Sequence, residues 1–249
     1  MSLKYVQIFV LAFVFALQFV AEHLYPQKRG INNWRNERFN LAIGVLNIAL
    51  TFIPAAFFVQ GIGFLQQHKL GLLHQFNLPL WLLVCITIFV MDFWMYVWHR
   101  ANHEISFLWR FHRFHHKDTK MNTTTALRFH TAELLLSYPG KGLICFIFGI
   151  SYLPLVIYEI LFFTAVVIHH SNIHITKKQD ALYRILFASP LMHRIHHSQR
   201  IEETDSNFGG LFSFWDKLFG SWKANAKNDI VFGLPVKDGD ASEEKAYKK

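Results

Sequence analysis

Long apolar stretches alternate with short polar ones along the whole chain. Residues 5–24, 41–65 and 78–98 form three apolar runs. Each reaches the roughly 20 residues that a bilayer-spanning helix needs. Two weaker runs follow at 134–150 and 152–169. Lys141 and the Pro139-Gly140 pair interrupt the first of these, and Pro154 opens the second. At about 17 residues each they sit at the lower limit for spanning. They read either as two short spans or as one re-entrant hairpin, and in both cases the chain returns to the side it left. Trp94, Tyr96 and Trp98 close the third run, as interfacial aromatic anchors do. The pattern predicts an all-α protein, a polytopic membrane helical bundle forming a single membrane-embedded domain over residues 1–249.

The first run is too long for a signal-peptide core and no small-x-small cleavage site follows it, so it reads as a retained anchor. Basic residues then set the orientation. Lys28, Arg29, Arg35 and Arg38 crowd the first connection, and Arg100, Arg110, Arg113, Lys117, Lys120 and Arg128 follow the third run. Most of the others follow the fifth, while the remaining connections hold only Lys4 and Lys69. By the positive-inside rule, 26–40, 99–133 and everything after 169 are expected in the cytosol, with the amino terminus on the opposite side. Segments 99–133 and 170–233 would form a cytosolic helical cap, and 234–249 a charged, flexible tail.

Composition agrees with lipid contact. Hydrophobic residues make up 52% of the chain and charged ones 17%, against about 25% charged in a typical soluble domain. The net charge of +8 belongs to the loops of one side. It forms no basic stripe interleaved with aromatics, which argues against a nucleic-acid partner. Cys85 and Cys145 both lie in apolar stretches, which excludes a disulfide framework or a thiolate metal site.

The 15 histidines carry the chemistry. His23, His68 and His74 stand alone and read as ordinary interfacial residues. All the others but His130 gather in four clusters: His99-x3-His103, His112-x2-His115-His116, His170-x3-His174 preceded by His169, and His193-x2-His196-His197. On a helix, residues three and four apart share a face, so His99 and His103 project together if the third helix continues past the bilayer. The two tripods and two pairs offer enough imidazole nitrogens for two metal ions. Imidazole suits iron, zinc, copper or nickel alike. A storage segment would be low-complexity, whereas these histidines are interleaved with Trp, Phe, Leu and Ile at helical periods. A transporter would place its ligands at mid-bilayer, and no run has a histidine at its centre. All four clusters fall on one side of the expected topology, as one shared site requires.

At these residues the chain resembles the fatty acid hydroxylase / sterol desaturase superfamily of integral-membrane enzymes, which carries the same four clusters in this order. The resemblance covers roughly 88–221. It includes Asp92-Phe-Trp-Met-Tyr-Val-Trp-His99-Arg100 and the closing Asn207-Phe-Gly209 and Trp215-Asp216-Lys-Leu-Phe-Gly220 elements. It implies a non-haem di-iron centre, dioxygen as oxidant and a membrane lipid as substrate. The ligands it implies are His99, His103, His112, His115, His116, His170, His174, His193, His196 and His197. His169 competes with His170, whose H-S-N form is the closer match, and His130, in Arg-Phe-His-Thr-Ala-Glu133, is a further candidate. Carboxylates that would support the ligands are Asp92, Glu104, Asp118, Glu133 and Asp205; Asp92 lies seven residues before His99, on nearly the same helix face. With no Gly-rich dinucleotide motif and no haem or iron–sulfur cysteine pattern, electrons are expected from a separate donor such as a cytochrome b5 or a ferredoxin with its reductase. A lipid hydroxylase is the leading expectation. A desaturase on the same centre, or a non-catalytic metal-binding membrane protein holding zinc, are the alternatives.

Overall fold

The computed structural model describes residues 3–234, so the expected tail lies almost wholly outside the described residues. Helices α1 (Leu3–Leu24), α2 (Trp34–Gln67), α3 (Leu80–Glu104), α5 (Thr131–Phe148) and α6 (Tyr152–His170) follow the five apolar runs. Between α3 and α5 lies α4 (Ser106–His116), and after α6 come four short helices: α7 (Lys177–Tyr183), α8 (Pro190–His196), α9 (Ile201–Thr204) and α10 (Phe214–Leu218). Among the described residues there is no β-strand, only three isolated bridges. The all-helical expectation is therefore met.

Among the described residues four helices, α1, α2, α3 and α6, are long and apolar enough to cross a membrane. α5, interrupted by Lys141, is not among them. That lysine is paired with Glu159 of α6, and Gln7 of α1 donates to the same carboxylate at 3.4 Å. A charge among apolar helices persists only with such a partner, so the interruption seen in the sequence is a cross-link between helices. α2 is longer than its apolar run. Its 34 residues extend about 51 Å at 1.5 Å per residue, well beyond a hydrocarbon core of about 30 Å. About half of the excess is the two polar turns Trp34–Asn40, capped by the Asn33 side chain, which accepts from Asn36 N at 3.2 Å.

One end of the bundle is made by two turns in contact. Gly71 follows α2 and Gly149 follows α5, with φ of +100° and +68°. A Cβ on Gly71 would stand 2.2 Å from Gly149 N. The α5–α6 hairpin thus reaches as far as the α2–α3 turn. Beneath it Ile62, Met91, Cys145, Ile150, Leu155 and Tyr158 form the apolar core.

Every histidine cluster lies at the other end, where polar groups tie the helices together. Glu22 of α1, fully buried, accepts from Thr123 N at 2.9 Å and Asn172 N at 2.8 Å. Asn40 of α2 donates to Asp118 at 2.8 Å and to Thr124 at 3.1 Å. The third helix does continue past the aromatic belt, carrying His99 and His103, but Ile105 (φ −98°, ψ 111°) breaks it. α4 therefore leaves in a new direction and folds its histidines back toward α3.

Gly71→Val should destabilise the bundle by at least about 2 kcal/mol, because it adds a close contact to a left-handed backbone. A lowered unfolding temperature in detergent would register this; an unchanged one would show that the turn contact is dispensable.

Candidate metal centre

The histidines converge as two groups. His99 and His103 of α3, His112 and His116 of α4 and His196 of α8 form one; His115 of α4, His170 of α6, and His193 and His197 at α8 form the other. Within each group the ring nitrogens lie within 4.8 Å of one another. Helical geometry explains the division. At 100° per residue, His112 and His116 lie about 40° apart, while His115 points about 60° to the other side of His112. The second H-x-x-H-H divides the same way with the roles reversed: His193 and His197 serve one group and His196 the other. Each tripod is thus shared between the two groups.

A ring nitrogen faces inward because its partner is held outward. His99 Nδ1 donates to Phe208 O at 2.8 Å, His196 Nδ1 to Ser206 O at 2.8 Å, His170 Nδ1 to Val166 O at 2.7 Å and His115 Nδ1 to Arg128 O at 3.2 Å. His112 Nδ1 donates to Glu133 Oε1 at 2.8 Å and His103 Nδ1 to Asp205 Oδ1 at 3.2 Å. Carbonyl and carboxylate oxygens only accept, so the proton must sit on Nδ1 and the lone pair on Nε2. That arrangement is the one metal-binding histidines use. Thr204 gives its hydroxyl proton to His196 O at 2.7 Å, leaving lone pairs that face His116 Nδ1 at 3.5 Å.

The inward nitrogens fit metal ions. Nε2 of His103, His112, His116, His196 and His197 is buried with no hydrogen-bond partner. His170 Nε2 lies 3.0 Å from both His115 Nε2 and His193 Nε2. Bonds of about 2.1 Å to one ion let neighbouring nitrogens stand about 3.0 Å apart, which matches these two separations. Protonation does not oppose this. Burial first, then the neighbouring rings, hold His115, His116, His193, His196 and His197 well below the ordinary imidazole range, so they stay neutral.

The structure does not bring in every residue the sequence singled out. His174 is exposed and outside both groups, its backbone N–H donating to Tyr25 O at 2.8 Å. Residues Ser171–Ile173 are drawn away from α6 toward the α1–α2 connection, which breaks the helical i, i+4 relation that would align His174 with His170. His170 rather than His169 stands in the group of four; His169 is buried behind it, 3.9 Å from the His193 ring centroid. His130 is exposed, and its Nδ1 caps α5 by accepting from Ala132 N at 3.1 Å. Of the carboxylates, Glu133 and Asp205 touch ring nitrogens. Glu104 pairs with Arg100 at 2.7 Å, and Asp118 secures Asn40 and Thr125.

Asp92 acts at one remove. Its carboxylate accepts from Leu211 N at 3.0 Å, Phe212 N at 3.1 Å and Trp215 Nε1 at 2.8 Å. Asp216 accepts from Phe208 N at 2.7 Å, Gly209 N at 2.9 Å and Ser221 Oγ at 2.7 Å. Asn207 holds φ +55°, a conformation Asn tolerates better than most residues. Its amide bonds Met192 O at 3.0 Å and Lys223 O at 2.9 Å. Together these fix the loop that presents Ser206 O and Phe208 O. Carbonyl acceptors carry no side-chain signal, and only the Asn-Phe-Gly and Trp-Asp elements marked the loop in advance.

A cavity of about 420 Å³ ends at the two groups. Its walls come mainly from apolar side chains of α2, α3, α5 and α6, and His99, His112, His115, His170 and His193 close it. Val45 and Ile48 of α2 line it while remaining 68% and 70% exposed, so it meets the lipid-facing side of the bundle.

Fold and site define a class: an apolar helical bundle with two convergent histidine groups, each able to hold a metal ion, at one end. The model of the fatty acid hydroxylase family matches residues 84–221, more than half of the chain, and the chain belongs to that family. It is 31% identical over 150 residues to an alkylglycerol monooxygenase of Caenorhabditis elegans, covering 59% of this chain and 28% of that protein. To the ornithine lipid hydroxylase OlsE of Rhizobium tropici it is 27% identical over 146 residues, covering 58% and 43%. To the fatty acid hydroxylase vlmA of a Lecanicillium species it is 28% identical over 170 residues, covering 63% and 46%. The match thus spans less than half of each relative's length. No solved structure matches the chain.

His115→Ala and His196→Ala should each lower bound metal, by up to one ion per chain, in elemental analysis of purified protein, whereas His174→Ala should keep the full complement. Undiminished metal in both of the first two variants would break the assignment of the groups.

Proposed function

We propose that this chain is an integral-membrane, di-iron, dioxygen-dependent lipid hydroxylase whose ligands are the nine histidines of the two groups. The cavity carries this reading: an apolar passage leads from the lipid-facing surface of α2 to both groups. A lipid can leave part of itself in the bilayer and bring one carbon to the centre. The hydroxylases among the relatives support a redox-active metal, and zinc has no redox chemistry, so iron is preferred.

When bound, the metal pair supplies dioxygen activation and the oxidising power to replace a C–H hydrogen by a hydroxyl group. The overall reaction takes substrate, dioxygen, two electrons and two protons to alcohol and water. The electrons come from an external donor such as a cytochrome b5 or a ferredoxin with its reductase. The chain's own residues provide the rest. Carbonyls of Arg128, Val166, Ser206 and Phe208 hold the rings in one tautomer. Glu133 and Asp205 place negative charge behind His112 and His103, which raises ligand basicity and offsets ionic charge. The apolar walls keep water from the reacting carbon and orient the chain of the substrate. The positive-inside pattern supports a cytosolic location for the histidine end.

Two measurements test the proposal. Iron-loaded protein supplied with a reductant and membrane lipid should add one oxygen atom to a lipid by mass spectrometry, and only in the presence of dioxygen; tight zinc binding with no redox response, in protein made with iron available, would refute it. Cysteine labelling of intact cells with a membrane-impermeant reagent should spare a cysteine at Lys120 and modify one at Lys69; the opposite result would invert the topology.

A further inference from the structure

The cavity is apolar except for a few groups, and those groups differ in one respect. Asn47 donates to Phe129 O at 2.8 Å and accepts from Thr131 Oγ1 at 2.7 Å. Thr51 donates to Asn47 O and Ser137 to Leu134 O, both at 2.7 Å. These three ask nothing of a ligand. Asn102 and Glu133 also line the cavity. Asn102 is 1% exposed, and neither its Nδ2 nor its Oδ1 has a partner. Glu133 is 5% exposed and uses Oε1 for His112, while its Oε2 has no partner.

Buried polar atoms without partners are costly, and in a native protein each needs a reason. Replacing Asn102 by an apolar residue of similar size would remove the cost, and His99 and His103 on either side hold their own bonds without it. The open atoms are one donor and two acceptors, set in an otherwise apolar wall beside the centre. A few convergent polar groups in an apolar cavity orient a ligand. A hydrocarbon segment satisfies none of them. An ether or ester oxygen only accepts and can answer Asn102 Nδ2 alone. A hydroxyl group both accepts and donates, so it can satisfy the amide N–H and one of the two acceptor oxygens.

We infer that Asn102 and Glu133 form a substrate subsite for a hydroxyl group, so that the lipid taken by this cavity already carries a hydroxyl close to the carbon presented to the centre. Asn102 is a specificity-determining residue by this argument, touching substrate rather than metal. The inference rests on the cavity being the lipid site of the proposed function.

Binding of three probes of equal chain length separates the two claims: 1-hexadecanol, its methyl ether and hexadecane, titrated into purified protein in detergent and followed by ligand-induced thermal stabilisation. The wild-type protein should bind the alcohol at least about tenfold more tightly than the ether or the alkane. In Asn102→Leu that preference should vanish while alkane binding and metal content persist. Asn102→Leu should also unfold at a higher temperature than wild type without ligand, since it removes buried unpaired groups; a structural role for Asn102 predicts the reverse. Glu133→Gln keeps an acceptor for His112 and turns the free atom into a donor, so it should narrow the gap between the ether and the alcohol. Equal binding of all three probes by wild type, as when water occupies the subsite, would overturn this inference alone. Absence of binding by any probe would overturn it together with the lipid reading of the cavity.

Discussion

Nine imidazole rings packed into one buried volume must each be told which nitrogen keeps the proton. Without that instruction, neutral rings would pair with one another in many patterns and no fixed set of lone pairs would exist. For six of the nine the instruction comes from outside the cluster: four backbone carbonyls and two carboxylates each take an Nδ1 proton. The rest of the fold can be understood as the means of bringing those acceptors into place. α3, α4, α6 and α8 carry the rings, but three acceptors come from the short segment Asp205–Phe208. That segment has almost no regular structure of its own to hold it.

This is why two carboxylates that touch no histidine matter. Asp216 grips the backbone at Phe208 and Gly209, and Asp92 grips it at Leu211 and Phe212 together with the Trp215 indole. A loop that must present a carbonyl to a ring has to be stiffer than loops usually are, and backbone N–H groups fixed by a buried carboxylate supply that stiffness. Gly209 serves the same end. A Cβ there would lie 2.5 Å from Phe212 O and 2.8 Å from Asp216 Oδ2, so the loop closes on Asp216 only with glycine.

Much of this was legible in the sequence, and what was not has physical causes. Apolar runs and histidine spacing are local signals, and they located the helices and nine of the ring positions that converge. His174 fails because spacing assumes a continuous helix, and α6 ends at His170, where Glu22 and Lys28 draw Asn172 toward α1. The sharing of each tripod between two groups was in principle readable from helical angles. It needed knowledge of where α8 lies opposite α4. Carbonyl acceptors, the contact of Gly71 with Gly149 and the length of α2 beyond its apolar run all depend on tertiary placement. Glu22 could have been found by the rule that singled out Asp92, since a carboxylate near the end of an apolar helix is seldom idle.

The crossed use of the two tripods has a consequence for how the centre would assemble. α4 gives two rings to the first group and one to the second, and α8 does the converse. An ion in either group would therefore pin α4 to α8 and, in doing so, set the three rings that these helices give to the other group. Under the proposed function, the two ions are then linked ligands in the thermodynamic sense: each lowers the ordering cost of the other. Filling one group of such a centre would favour filling of the other.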